Sequence, residues 1–314
     1  MRLNRNYRTV VDGEPAPDRN DEYRFYQALI GIWPADLDGP IRLAPRAIIE
    51  RLQGYMIKAV KEAKLHTSWL TPNQGYENAV TTFVEAVLTD PRFLESFLRF
   101  QSRVAVSGMV NSLAQVTLKL GCPGVADFYQ GNELWDQSLV DPDNRRPVDF
   151  DRRRQMLAEV DRLLALDVAQ RTAAIAERLR AWQDGGIKLV VTAAGLRLRR
   201  ERPDLFLSGE YLPLVTEATV GASIVAFARM HGDSVALFVA PRFSASLIDE
   251  QHPMPLGVER WKTTRVLLPA AMTDRSFRNV LTGAEVTPVV TDSQAWIFAG
   301  QLFETVPVGI LVGL

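Results

Sequence analysis

The chain has 314 residues, 47% hydrophobic and 23% charged, with a net charge of -1; it can bury a sizeable core and has no global field to hold nucleic acid or an anionic membrane. One cysteine, Cys122, excludes an internal disulfide framework, and His66, His231 and His252 lie too far apart for a local zinc motif. No apolar run reaches the ~18 residues of a membrane span, and Met1-Arg2-Leu3-Asn4-Arg5 lacks a signal-peptide core, so the expectation is a soluble, cytoplasmic chain in two parts.

Residues 20 to 120 carry helical spacing. Asn20 and Asp21 are cap candidates for a helix bearing Tyr23, Tyr26, Leu29, Ile30 and Trp33, ended by Pro34. Ile48, Leu52, Tyr55, Met56, Ala59, Val60 and Ala63 give a second amphipathic helix. A third is predicted from about Gln74 to Leu88, and Thr89-Asp90-Pro91 starts a fourth that continues from Phe93 to Leu120, with Gly108 as a break or a close-packing point. After the punctuating Gly121-Cys122-Pro123-Gly124, Val125–Tyr129 is expected as a short buried strand, and Gln130–Phe150 as a long polar loop of the kind that serves function. Met156, Leu157, Val160, Leu163 and Leu164 share one helical face; further helices are expected over about Val168–Gln183 and Gly186–Arg202.

Beyond Pro203 the pattern changes to short apolar runs, Ser223–Arg229, Ser234–Ala240, Thr263–Leu268, Phe277–Leu281 and Ile310–Val312. His231-Gly232-Asp233 and Thr282-Gly283 are hairpin signals, so an antiparallel, sandwich-like β-domain is expected after a boundary near 203–208.

The residue types richest in chemistry lie in Pro123–Asp136 (PGVADFYQGNELWD) and Asp141–Asp149 (DPDNRRPVD). Aromatics beside carboxylates, amides and arginines suit a sugar site: rings stack on apolar sugar faces, while carboxylates and guanidinium forks take pairs of hydroxyls. The plainer reading is that Arg145 and Arg146 are pinned by Asp141 and Asp149 and only shape the loop. A second cluster, Lys64–Asn73 with Tyr76 and Glu77, crowds His66, Ser68 and Trp69 between two helices; a capped connection with Trp69 packed is the alternative to sugar contact. Arg197–Arg202 is expected as a solvated helix face with an ion pair to Glu201, His231 and His252 as surface residues, and Cys122 as a buried, inert thiol. No acid/base carboxylate pair stands out: glycosyl transfer with retention needs two carboxyls about 5 Å apart, and nothing constrains the spacing of Asp127 and Glu133.

PGVADFYQGNELWD, followed by SLVDPDNRRPVDF, closely resembles the C-terminal part of the maltooligosyl trehalose synthases. These are (1→4)-α-D-glucan 1-α-D-glucosylmutases of the α-amylase superfamily, glycoside hydrolase family 13. RLNRNYR, DRNDEYRFYQALIGIWP, IKAVKEAKLHTSWLTPN and YENAV upstream, with LRLRRERPDLF and NVLTG downstream, extend the resemblance over essentially the whole chain. It implies an α+β fragment of a (β/α)8-barrel enzyme with three parts: a helical insertion over 1–122; the last barrel strand, substrate-rim loop and following helices over 123–205; and a C-terminal antiparallel β-domain over 206–314. The family's nucleophilic Asp, acid/base Glu and third Asp follow earlier barrel strands and match no residue here. A lone barrel strand at 125–129 would lack neighbours, which leaves it irregular or paired in a non-native way. The implied parent reaction converts the reducing-end α-1,4 bond of a maltooligosaccharide to an α,α-1,1 bond, in trehalose biosynthesis. The implied partners are the maltooligosaccharide and the barrel portion absent from this chain; the implied substrate contacts are Tyr129, Gln130, Glu133, Asp141, Asn144, Arg145 and Arg146, with His66, Ser68 and Trp69 as weaker candidates. No cofactor or metal is called for. The fragment is expected to be inactive alone; the alternative is a non-catalytic carbohydrate-binding or scaffold protein. An autonomous hydrolase using Glu133 or Asp127 is a third reading.

Overall fold

A computed structural model describes residues 2–35, 37, 43–141, 143–218, 223–292 and 294–314. It is an α+β structure of helices and antiparallel strands, and its contacts divide it into two units: Met1–Ala105 with Asp136–Val148, and Val106–Trp135 with Asp149–Leu314.

The first unit holds α1 (Arg19–Ile32), α2 (Arg46–Ala63), α3 (Gln74–Leu88) and the start of α4 (Pro91–Gly121). Their apolar stripes meet in one core around Phe25, Leu29, Leu52, Phe83 and Leu94. Asp18 caps α1, its carboxylate accepting the Asp21 N–H at 2.8 Å; Asn20 and Asp21, expected in that role, fall inside the first turn, where an acidic side chain still complements the helix dipole. Asn73 caps α3 through the Tyr76 N–H at 3.1 Å, and the helix runs over the predicted residues. A hairpin of β1 (Thr9–Val11) and β2 (Glu14–Ala16) turns at Asp12-Gly13, both with positive φ, the Asp-Gly signal of a tight hairpin. Gly108 neither breaks α4 nor permits a close approach: the helix continues through it, and an added Cβ would meet nothing within 4 Å.

The second unit carries α5 (Phe150–Leu164), α6 (Val168–Arg180), α7 (Gly186–Glu201) and α8 (Pro203–Leu207). Two antiparallel sheets follow. One runs β3 (Glu210–Pro213), β5 (Ser223–His231), β6 (Ser234–Arg242), β12 (Gly309–Gly313), β8 (Phe277–Asn279), β9 (Glu285–Val286). The other runs β10 (Val289–Val290), β11 (Ala295–Phe298), β7 (Arg265–Leu268), β4 (Thr216–Glu217). Short helices α9 (Gly257–Trp261) and α10 (Ala299–Leu302) complete the unit. Ala226, Leu237 and Val239 of the first sheet share a core with Val266 and Ile297 of the second, the sandwich arrangement expected. Phe227, Ala236 and Phe238 instead join the helices' core with Leu120 and Val190. Burial on both faces explains why β6 is a continuous apolar run without alternation. At the end of α4 the Phe238 ring packs so closely on Gly121 that any Cβ there would collide with it.

Val125–Tyr129 is not a strand. Val125 is 95% exposed, and the segment pairs with no strand among the described residues. A buried parallel strand needs a ladder on each side, and here the backbone is held by side chains instead: Lys119 Nζ donates to the Asp127 carbonyl at 2.7 Å and Arg199 to the Gly124 carbonyl at 3.0 Å.

Asp149 caps α5, accepting the Arg152 N–H at 2.9 Å. Asp149→Ala should therefore cost about 1 kcal/mol of stability, read as a lower denaturant midpoint with an unchanged slope.

Candidate functional site

The predicted rim loop divides between the two units. Residues 129–135 are built onto the second. Tyr129 and Gln130 are exposed, with the Tyr129 ring free of aromatic stacking among the described residues. Glu133 ties the loop together: its Oε2 accepts the Gly131 N–H at 3.0 Å and Arg153 Nε at 3.0 Å, while Arg153 also donates to the Gly131 carbonyl at 2.7 Å. Trp135 Nε1 donates to the Trp182 carbonyl at 2.7 Å, and Lys188 Nζ to the Leu134 carbonyl at 2.9 Å. This half of the loop is a rigid base with two exposed side chains at its start.

Residues 136–146 are built onto the first unit, around Asp143, which composition did not single out. Its carboxylate is buried (8% exposed) and takes both Arg51 Nε and Nη2 at 2.8 Å, plus the Leu139 N–H at 2.7 Å. Burial alone would raise its pKa, but the Arg51 fork, the Leu139 N–H and the charge of Arg146 outweigh it and hold the carboxyl below its usual range. Arg146 bonds Asp143, not Asp149; Asp149 caps α5. Asp141 does pin Arg145, at 2.9 Å on the surface. Asn144 is exposed beside them. The result is a stiff turn that presents Asn144, Arg145 and Arg146 to solvent from a buried ion pair.

The 64–77 connection gathers a second polar group in the first unit. His66 Nε2 lies 2.9 Å from Asp18 Oδ2, and its ring stacks on Tyr76 at 4.4 Å. The Tyr76 hydroxyl donates to Asp21 at 2.6 Å and accepts the Asp18 N–H at 3.1 Å. Burial raises the Asp21 pKa despite the Tyr76 hydrogen bond; for Asp18 the Asp21 N–H and His66 outweigh burial and lower it. Ser68 is spent locally, bonding Thr71 at 2.8 Å. Trp69 is 60% exposed with Lys61 Nζ 4.8 Å from its ring centroid, an open aromatic face rather than a packed one. None of the hydrogen bonds or ion pairs of the described residues joins His66, Ser68 or Trp69 to residues 141–146.

The arginine run departs from expectation. Glu201 forms no ion pair among the described residues; Arg197 pairs with Asp161, and Arg199 donates to the Leu120 carbonyl at 2.7 Å. Cys122 is half-buried. His252 is a surface residue, as expected, in a pair with Asp249 at 3.0 Å. Among the described residues no cluster of His, Cys, Asp or Glu is placed to hold a metal ion, and no helix is long and apolar enough to cross a membrane.

No family model matches the chain. The Mycobacterium tuberculosis protein named "Putative maltooligosyl trehalose synthase" is 34% identical over 301 residues, covering 95% of this chain and 32% of that protein. The solved maltooligosyltrehalose synthase of Arthrobacter ramosus superposes with a TM-score of 0.68 at 30% identity, over 93% of this chain and 32% of its own. A Sulfolobus tokodaii structure described as a hypothetical maltooligosyl trehalose synthase gives 0.60 at 30% identity, over 94% and 32%. The chain thus spans about a third of the length of the relatives it matches, and the part matched is the C-terminal one.

Proposed function

We propose that this chain, a relative of the C-terminal part of the maltooligosyl trehalose synthases, serves an enzyme that isomerises the reducing-end α-1,4 bond of maltooligosaccharides to an α,α-1,1 bond. The observation that carries this reading is sequence identity of 34% sustained over 95% of the chain, through the loop whose residues suit sugar contact.

The reaction is an intramolecular transglucosylation: the terminal glucose is released, kept, turned and re-attached before water intervenes. Its demand on the protein is therefore exclusion of water and retention of a polar sugar. In our reading residues 1–122 are a helical insertion that walls the pocket, 123–205 hold the segment of the last barrel strand with the rim loop, and 206–314 are the C-terminal β-domain. Residues 125–129 would pair only when the rest of a barrel stands beside them, which is the reason we give for their irregular form. Tyr129, Gln130, Asp141, Asn144, Arg145 and Arg146 are the rim; Trp69 adds a stacking face with His66 and Ser68 near it. Glu133 belongs to the rim as its support, through Arg153. The catalytic carboxylates belong to the barrel portion outside this chain, so residues 1–314 are inactive alone. We place the enzyme in the cytoplasm.

The test is kinetic, on the product of the complete reading frame. Arg145 is exposed and, among the described residues, its one ion-pair partner is Asp141, so Arg145→Ala leaves folding intact and removes a charge-assisted contact of about 1.5–3 kcal/mol, lowering kcat/KM for maltopentaose roughly tenfold to a hundredfold. Unchanged kinetics remove Arg145 from the rim. Reading the DNA upstream of Met1 for an in-frame barrel with its carboxylates tests the parentage independently.

A further inference from the structure

We propose that the second unit carries an anion site for a small phosphorylated molecule, in a cavity of about 360 Å³ walled by Arg171, Arg197, Arg202 and Arg278. Nothing in the isomerisation reading uses this place.

Four guanidiniums in one cavity need an explanation in a chain of net charge -1. The only carboxylate on the wall is Glu201, which forms no ion pair among the described residues. Asp161 offsets Arg197, and Glu285 stands across the strand from Arg278 without an ion pair to it. Arg171, Arg202 and Arg278 thus form no ion pair among the described residues.

The deepest of the four is fixed in place without a counter-ion. Arg171 donates to the carbonyls of Leu164, Val280 and Leu281, which join the end of α5 to the segment after β8. Those carbonyls hold the guanidinium plane, but they supply dipoles and not a charge; burial lowers its pKa. A half-buried cation of this kind gains more from an incoming anion than a solvated one. Arg202 spends one donor on Ser234 Oγ at 3.0 Å. The Arg278 side chain has no hydrogen-bond or ion-pair partner among the described residues and is exposed on β8.

Several guanidiniums lining one cavity match the tetrahedral oxygens of phosphate better than a single carboxylate, which fills one fork. Leu198, Val280 and Val312 on the wall offer an apolar surface for the body of a ligand. The volume is near the lower end of small-molecule sites, roughly 300–1,000 Å³. These features fit a phosphate on a compact body such as a sugar; a nucleic-acid backbone would need a basic track rather than one local cluster.

Calorimetric titration of the full chain with glucose 6-phosphate, inorganic phosphate and glucose tests the site. The expected result is binding of glucose 6-phosphate, none of glucose, and at least tenfold weaker binding after Arg278→Gln with an unchanged melting temperature. Arg278→Lys should recover part of the loss, since it restores the charge and not the fork. Equal affinity for glucose 6-phosphate and inorganic phosphate supports the anion site and assigns it to phosphate itself. No heat with either phosphate, or the same affinity in Arg278→Gln, overturns the proposal.

Discussion

Asp143→Ala should cost the first unit about 3–5 kcal/mol, because it leaves the Arg51 guanidinium buried without its counter-charge. Arg51 is 16% and Asp143 6% exposed at the side chain, and the pair is bidentate. The same substitution frees the Leu139 N–H and Arg146, so residues 137–146 lose their anchor along with the stability. Amide exchange should rise across that turn and not in α3. A double replacement, Arg51→Met with Asp143→Leu, should cost less than the sum of the single changes, since no charge is then left buried. A single-variant cost below about 1 kcal/mol would show the pair to be solvated and the turn held by something else. The pH dependence has a definite sign. The Asp143 carboxyl is held below its unfolded value of ~3.9, so its contribution is fully present above that pH and is lost as pH falls through the lower folded value. Wild type should lose stability below about pH 4, and Asp143→Ala should lack that component.

Arg229→Met should destabilise the second unit by a comparable amount, about 3–5 kcal/mol. Arg229 is 2% exposed and has no carboxylate partner among the described residues. Its donors go to four backbone carbonyls: Gly121 at 3.2 Å, Phe206 at 3.0 Å, Gly209 at 2.8 Å and Glu210 at 3.4 Å. Two of these oxygens close the ends of α4 and α8, where the helix dipole favours a cation. Methionine fills the volume and donates nothing, leaving several buried acceptors unpaired at once. Arg229→Lys should rescue only part of the loss, because three donors on one nitrogen cannot reach the same fork. Chemical denaturation checks the order wild type, Lys, Met. A Met variant as stable as wild type would mean that water or a backbone shift satisfies those carbonyls.

These two arginines mark the limit of what the amino-acid order discloses. The helices of residues 19–121 were legible because each has an apolar stripe at helical spacing, and α1 and α3 also carry a capping side chain at the start; α3 is recovered residue for residue between Asn73 and Leu88. The hairpins at His231–Asp233 and Thr282-Gly283 were legible from turn chemistry. Asp12-Gly13 carries the same signal and could have been found. Arg51 and Asp143 are 92 residues apart, and no local pattern joins them. Arg229 sat at the end of a strand-like run, where its burial depends on carbonyls from three other segments. Val125–Tyr129 departs from the expectation for the converse reason: its composition suits a buried strand, but a strand exists only with partners. The rim residues were legible as residue types; that Glu133 and Asp143 spend their charge on holding the loop required the geometry.

The central claim is that these residues serve a maltooligosaccharide isomerase whose carboxylates lie outside them. Its most direct test follows reducing ends of maltopentaose with the product of the complete reading frame and, in parallel, with residues 1–314 alone. The expected result is loss of reducing ends with little glucose release in the first and no change in the second. Turnover by residues 1–314 that Glu133→Gln abolishes, or no isomerisation by the complete product, would contradict it.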